Sequence, residues 1–242
     1  MVQVTDRDDA MMEWLSVVRM ADTEAIRYAL AGLAGADGPV SLRRSNQWVE
    51  RLVKVGWVRR TRPTYRDASI VWATAAAVGK EPPSLFRSTT RHEVAVAAVS
   101  ARYLFHGYSW RRDRRLHGYL DHQADGVAIK GDIAELIEVE LSAKRLERYK
   151  LIHENHAARL LDDGFARVVY AGTAEAIRTV EREADKYIFR TERARLIGVP
   201  VFESRGTWKG DDPRFWDTAP EPSPQIRPLQ LPGWDELESA HR

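Results

Sequence analysis

The eight residues Ile133-Ala-Glu-Leu-Ile-Glu-Val-Glu140 constrain this chain more than any other stretch. Alternation along them puts Leu136, Glu138 and Glu140 on one face of a strand and Ile137 and Val139 on the other. The preceding Gly126-Val-Ala-Ile129 reads as a second short strand. With the turn signal Lys130-Gly-Asp132 between them, the stretch predicts a β-hairpin with Asp125 at the start of the facing strand. A polar face on an antiparallel strand is ordinarily its solvated side. Here the run is otherwise too apolar for an exposed edge, and carboxylates gathered on neighbouring buried strands repel one another unless a cation joins them. Hard oxygen ligands favour Mg²⁺ or Mn²⁺, and a lysine nearby would steady developing charge on a phosphate.

The rest of the chain limits what can surround that hairpin. At 242 residues and 44% hydrophobic, it is long enough for one large or two small domains with real cores. No run of about 18 apolar residues occurs and the N-terminus is acidic at Asp6, Asp8 and Asp9, so a membrane span and a signal peptide are not expected and a cytoplasmic protein is. The absence of cysteine removes disulfides, thiolate metal sites and cysteine nucleophiles. The net charge of +2 hides an uneven distribution: Arg43, Arg44, Arg51, Lys54, Arg59, Arg60, Arg62 and Arg66 face a single acid, Glu50, and a second basic group follows at Arg111, Arg112, Arg114 and Arg115.

In chain order, residues 8–31 carry two helical patterns, one with Trp14, Leu15 and Val18, the other capped at Asp22 or Thr23 with Ile26, Leu30 and Leu33 on its stripe. A third helix is expected from Ser41 through Trp48, Val49, Leu52 and Val53 to Gly56, with Arg43, Arg44, Asn46, Gln47 and Arg51 on its outer faces. The segments Trp57–Arg62 and Ile70–Thr74 then read as a basic two-stranded wing. Three helices and a hairpin predict a winged helix-turn-helix over residues 1–80. Its arginines, Arg59, Arg60 and Arg62 among them, suit DNA phosphates, and Asn46 and Gln47 suit adenine edges. Solvated charge or a protein-binding role are the plainer alternatives.

The two prolines in Lys80-Glu-Pro-Pro-Ser-Leu mark a domain boundary. Beyond it, Arg91–Phe105 predicts an amphipathic helix with Val94, Ala97, Ala98, Ala101, Leu104 and Phe105 as its stripe. Trp110–Leu116 reads as a strand, and Ser142 is expected to cap a helix whose stripe is Leu146, Tyr149, His153, His156, Ala157 and Leu160. His153 and His156 lie one turn apart and could share a metal, but packing on the sheet is the expectation; His117 and His122 flank the carboxylates and could act as acid, base or ligand, though isolated histidines are more often structural. Strands at Phe165–Ala171 and Leu196–Val201 enclose a helix opened by Thr173, which gives the order αβββαβαβ over residues 81–206. Residues 207–242 hold six prolines with Trp208, Trp216 and Trp234 and predict a tail whose aromatics anchor it to the body.

The order Asp125, Glu138-Val-Glu140 and a basic helix near Lys144 resembles the PD-(D/E)xK nuclease superfamily. Two positions depart from its pattern: Ala124 stands for the proline and Glu140 for the lysine. In some members the lysine has moved to the following helix, where Lys144 stands here. The resemblance implies that Asp125 and Glu138 hold Mg²⁺ or Mn²⁺, that Glu140 or a helical glutamate, Glu93, completes the metal shell or orients water, and that Lys144 balances charge on the scissile phosphate. A first-turn glutamate complementing the helix dipole is the plain reading of Glu93. Taken with the basic N-terminal part, the whole of roughly 8–205 resembles the replication-relaxation family of plasmid, phage and actinobacterial proteins.

The expectation is therefore an α/β (α+β) protein: a winged helix followed by a PD-(D/E)xK nuclease-like αβββαβ domain, binding DNA and hydrolysing it as a Mg²⁺-dependent endodeoxyribonuclease in replication, mobilisation or DNA processing. The alternative is a catalytically inactive regulator or replication accessory that keeps the nuclease-like fold for DNA binding or dimerisation. A third reading has the second domain bind another protein. A homodimer would match a two-fold DNA site, and no membrane partner is expected.

Overall fold

In the computed structural model the described residues are 3–63, 68–85, 87, 89–113, 121–210 and 212–215. Arg66, Arg114, Arg115, His117, Trp216 and Trp234 lie outside them.

Local capping sets the first helices. α1 (Asp6–Val18) is followed by the short β1 (Ala21–Asp22), whose Asp22 side chain accepts the Ala25 N–H at 2.7 Å to open α2 (Thr23–Gly32). Ser41 caps α3 (Leu42–Val55) through the Arg44 N–H, and Gly56, at φ 81°, closes it in the left-handed conformation that a side chain would disfavour. β2 (Val58–Thr61) and β3 (Ile70–Ala73) then pair antiparallel, and β1 adds to β3, for an order β1-β3-β2. Met11, Leu15, Ile26, Leu30, Trp48, Leu52 and Val71 fill the core beneath. Leu33, expected on a buried stripe, is 36% exposed and Val53 44%, since each falls in the last turn of its helix pattern, beyond the packed face.

After the short α4 (Ala75–Val78) and the proline connector comes α5 (Thr90–Phe105). Sequence periodicity predicts one buried stripe on it; the structure buries two. Ala97 and Ala101 join the first core, while Ala95, Ala98, Val99 and Tyr103 belong to a core under the second sheet. Small residues let both neighbours come close. A Cβ on Gly32 would lie 2.5 Å from the Leu104 carbonyl carbon, so α2 and α5 touch backbone to backbone. Trp14 on α1 donates its indole N–H to Ser100 on α5 at 2.7 Å.

The second sheet runs β4 (Ser109–Arg111), β5 (Gly126–Lys130), β6 (Ile133–Glu140), β7 (Arg167–Thr173) and β8 (Leu196–Phe202), neighbours in that order. The β4–β5 and β5–β6 pairs are antiparallel, and the β6–β7 and β7–β8 pairs are parallel. The crossovers are α6 (Leu146–Asp162), then α7 (Ala174–Tyr187) with the short α8 (Arg190–Arg193). Gly131, at φ 56°, turns the β5–β6 hairpin, and Thr173 caps α7 as its position in the sequence predicts. Leu136, Val168 and Tyr170 face α6 and α7, while Ile137, Val139 and Val169 face α5. Glu138 and Glu140 therefore point to the α6 side. The protein is a mixed α/β fold, and no helix among the described residues is long and apolar enough to cross a membrane.

Two local expectations are revised. α6 begins at Leu146 with Arg145 at its cap, not at Ser142, and Leu146 is half exposed while Ile152 takes the buried position. Residues 141–145 are thereby left as a loop that folds Lys144 back toward β6. The tail, up to a 3-10 turn at Pro213–Phe215, lies against the body: Trp208 stacks on Phe215, and the buried Arg167 donates to the Phe215 carbonyl at 2.6 Å.

Candidate metal centre and nucleic-acid surface

The β5–β6 register places Ile137 opposite Gly126, so Asp125 sits just before the pairing and beside the end of β6. Its N–H donates to the Ile137 carbonyl at 3.0 Å, and its Oδ2 accepts the Val139 N–H at 2.7 Å. Its other oxygen, Oδ1, accepts from His92 Nε2 at 2.8 Å. Thirteen residues along the chain, Glu138 projects from β6 with its side chain 3% exposed. Its Oε1 receives two imidazoles: His122 Nε2 at 2.6 Å and His156 Nε2 at 3.1 Å. The Tyr170 hydroxyl lies 3.1 Å from the remaining His156 nitrogen, Nδ1. Glu140 pairs through Oε2 with Lys144 Nζ, and the Lys144 N–H donates to the Tyr149 hydroxyl at 3.0 Å.

Four of the five expected catalytic residues, Asp125, Glu138, Glu140 and Lys144, are thus brought together. Glu93 is not with them: it lines a groove with Arg19, Lys80, Arg87 and Arg112, and the residue reaching Asp125 from α5 is His92. One residue along a helix is a rotation of about 100°, enough to turn a side chain off the site. His122 and His156 were expected to be structural or to pack. Their signal lay in the meeting of two polar stripes: the buried face of β6 carries Glu138, and the buried stripe of the helix that follows carries His156. His153 does pack, stacked on Tyr149 with ring centroids 5.6 Å apart.

Electrostatics follow from these contacts. Burial works to raise the Glu138 carboxyl, but the bonds from His122 and His156 outweigh it and hold the group well below the usual carboxylate range. For Glu140, burial outweighs Lys144 and pushes the carboxyl up. Burial would lower Lys144; the charges of Glu138 and Glu140 outweigh it and raise the ammonium. His153, enclosed and near His156, is pushed down to about 3 and is neutral.

The donor set tests which ion these residues suit. Asp125 and Glu138 offer the oxygens that Mg²⁺ requires, yet two of the donors converging on Glu138 are imidazole nitrogens, which Mg²⁺ disfavours.

On the first sheet and α3, Arg43, Arg44, Gln47, Arg59, Arg60 and Arg62 are exposed, and Asn46 is half-buried with its Oδ1 3.4 Å from the Arg60 guanidinium. Arg51 is withdrawn from this surface. It clamps the buried Asp8, with NH2 2.5 Å from Oδ1 and NH1 3.0 Å from Oδ2, a pairing 43 residues apart that periodicity cannot reveal. Burial works to raise the Asp8 carboxyl, but bonds from Arg51, Thr5 and Trp48 outweigh it and bring it down to about 2. A group depressed on folding adds stability above its unfolded value and loses it as pH falls through the folded one. Asp8→Asn is therefore expected to cost about 1–2 kcal/mol at neutral pH and to flatten the acid loss between about pH 4 and about pH 2. Urea unfolding across that range checks both.

Set against known proteins, the chain matches no protein-family model, no curated protein and no solved structure.

Proposed function

We propose that this chain binds duplex DNA through an N-terminal winged helix and hydrolyses phosphodiester bonds at a PD-(D/E)xK-like centre built from Asp125, Glu138, Glu140 and Lys144. The observation that carries the reading is Lys144. The strand position at which the superfamily pattern has lysine is Glu140 here, and Lys144 reaches back from the loop before α6 to pair with it. A cation is thereby supplied where the pattern needs one. The strand sequence supports the same reading: three antiparallel strands, a helix, and a parallel strand, with Asp125 entering the second strand and Glu138 near the end of the third.

Each residue then has a task that its contacts allow. The Val139 N–H and His92 fix both oxygens of Asp125, so the carboxylate is held without rotational search. Glu138 holds its negative charge in a buried position. Lys144 offsets Glu140 and is placed to balance charge on a phosphate. A divalent ion, when bound by Asp125 and Glu138, would polarise the phosphate and make water acidic enough to attack. Exposed Arg43, Arg44, Arg59, Arg60 and Arg62 supply phosphate contacts that carry no sequence information, and Gln47 is the outward group suited to base edges.

One observation favours the non-catalytic regulator: Asp125, Glu138 and Glu140 each already have a histidine or lysine partner, so the cluster is closed without an ion. The two readings separate on supercoiled plasmid with Mn²⁺ or Mg²⁺, beside a salt series of gel shifts. Hydrolysis predicts nicking that Asp125→Ala removes. DNA binding predicts a steep salt dependence whose slope falls by roughly 2 when Arg43 and Arg44 both become Ala, and falls little for Arg51→Ala. Steep binding without nicking would leave the regulator. Shallow salt dependence would sink the DNA reading altogether.

A further inference from the structure

We propose that His122, Glu138 and His156 form a binding site for a borderline transition-metal dication of the Zn²⁺ class, distinct in chemistry from the carboxylate pair Asp125 and Glu138. It goes beyond the nuclease reading and shares only Glu138 with it.

The three ligands come from separate elements: the segment before β5, the end of β6 and the middle of α6. Their candidate donor atoms all lie within 4.8 Å of one another. Both imidazoles present Nε2 to the same carboxylate oxygen, at 2.6 and 3.1 Å. Around an ion with bonds of about 2.0 Å, tetrahedral donors stand about 3.3 Å apart, so each ring needs to retreat by less than about 1 Å. Three such ligands with a fourth position left open is the arrangement of catalytic zinc sites.

Two further observations point to an ion rather than to a mere hydrogen-bonded trio. The first is the partner of His156. Metal-bound histidines usually give their other nitrogen to a fixed polar group, and the Tyr170 hydroxyl, on the neighbouring strand and fully buried, is 3.1 Å from His156 Nδ1. The second is charge. Asp125, Glu138 and Glu140 put three carboxylates into a largely buried cluster, where, among the described residues, Lys144 pairs with Glu140 and the other two pair only with imidazoles, a surplus of acidic groups over permanent cations. A dication offsets that surplus. The nitrogens decide its kind, because imidazole suits Zn²⁺, Co²⁺ and Ni²⁺ and discriminates against Mg²⁺ and Ca²⁺.

The test uses the full chain without DNA. Calorimetric titration with Zn²⁺ and the visible absorption of added Co²⁺ are expected to report one ion per chain in a nitrogen- and oxygen-ligated, low-coordinate site, with Mg²⁺ in excess failing to displace it. His122→Ala should weaken binding by about 100-fold or more, and Tyr170→Phe, which acts through His156, by about 10- to 100-fold. Asp125→Ala should leave Zn²⁺ bound while removing plasmid cleavage, which separates this site from the nuclease reading. His122 is partly exposed and lies outside any helix or strand, so its removal tests the site even if His156→Ala fails to fold. Absence of Zn²⁺ binding, or binding that His122→Ala leaves unchanged in a folded protein, overturns the proposal.

Discussion

Glu138→Gln is expected to yield a folded protein whose metal-dependent DNA cleavage has fallen by about 10³-fold or more, since removing several kcal/mol of electrostatic stabilisation costs a factor of ten per about 1.4 kcal/mol. Glu138 is the hub of the centre: its Oε1 receives both His122 and His156. Glutamine keeps the shape and one acceptor oxygen while removing the charge. Its cost to stability is expected at about 1–3 kcal/mol, the price of one mismatched buried contact. Alanine would be less informative. It leaves two imidazoles without their acceptor and opens a cavity, so lost activity could not be told from lost fold. Nicking rates on plasmid, with circular dichroism of the same preparations, decide the matter: a Gln variant that cleaves at close to the parental rate would remove Glu138 from the chemistry.

That the hub was legible in the sequence, and its partners were not, has a physical cause. Strand alternation is strict, so Ile133–Glu140 specified which side chains share a face, and the structure puts Leu136 and Glu138 on the α6 side and Ile137 and Val139 on the α5 side. Caps are local as well: Asp22, Ser41 and Thr173 open their helices where the residue types predict. Helix phase against a distant sheet is another matter. α5 is apolar on two sides because it is packed by two cores, so its periodicity does not say which residue faces Asp125, and the glutamate at 93 was expected where His92 stands. The delayed start of α6 was hidden for a similar reason. Ser142 is a good cap in isolation, but the pairing of Lys144 with Glu140 holds the intervening loop open.

The same limit applies to charges. Arg51 lies on the outer part of a basic helix by spacing alone, yet Asp8 on α1 claims it and its guanidinium is turned away from the exposed arginines. Arginines that remain, Arg43, Arg44, Arg59, Arg60 and Arg62, occupy α3 and the β2 hairpin, two elements that a helix-in-groove docking would present together. The mixed α/β architecture thus follows from local signals, while the composition of each polar cluster depends on contacts between residues far apart in the chain.

Asp113→Ala is expected to destabilise the fold by about 3–5 kcal/mol, because it leaves the Arg159 guanidinium buried without its main counter-charge. The two side chains form a bidentate pair at 2.6 and 2.8 Å, and both are almost wholly enclosed. Asp163, 3.1 Å from Arg159 Nε, is 38% exposed and compensates only in part. A loss of that size is a large share of the roughly 5–15 kcal/mol that holds a typical domain folded. Thermal or urea unfolding measures it, and a change below about 1 kcal/mol would show that the pair is not a buried electrostatic lock. The consequence reaches the cluster around Glu138, because Asp113 Oδ2 also accepts the Ala124 N–H at 2.8 Å and its main-chain carbonyl accepts from the Gln123 amide at 3.1 Å. Asp113 therefore ties the segment carrying His122 and Asp125 to α6, which carries His156. Replacing the pair together, Asp113→Leu with Arg159→Met, removes the unpaired charge and is expected to recover much of the stability. It does not restore the bond to the Ala124 N–H, while the Gln123 bond, made to the main-chain carbonyl of residue 113, is untouched by the substitution. If the Ala124 bond positions the site, the double variant will unfold near the parental temperature yet bind metal more weakly; if it binds as tightly as the parent, the segment is held by its own packing and Asp113 serves the fold alone.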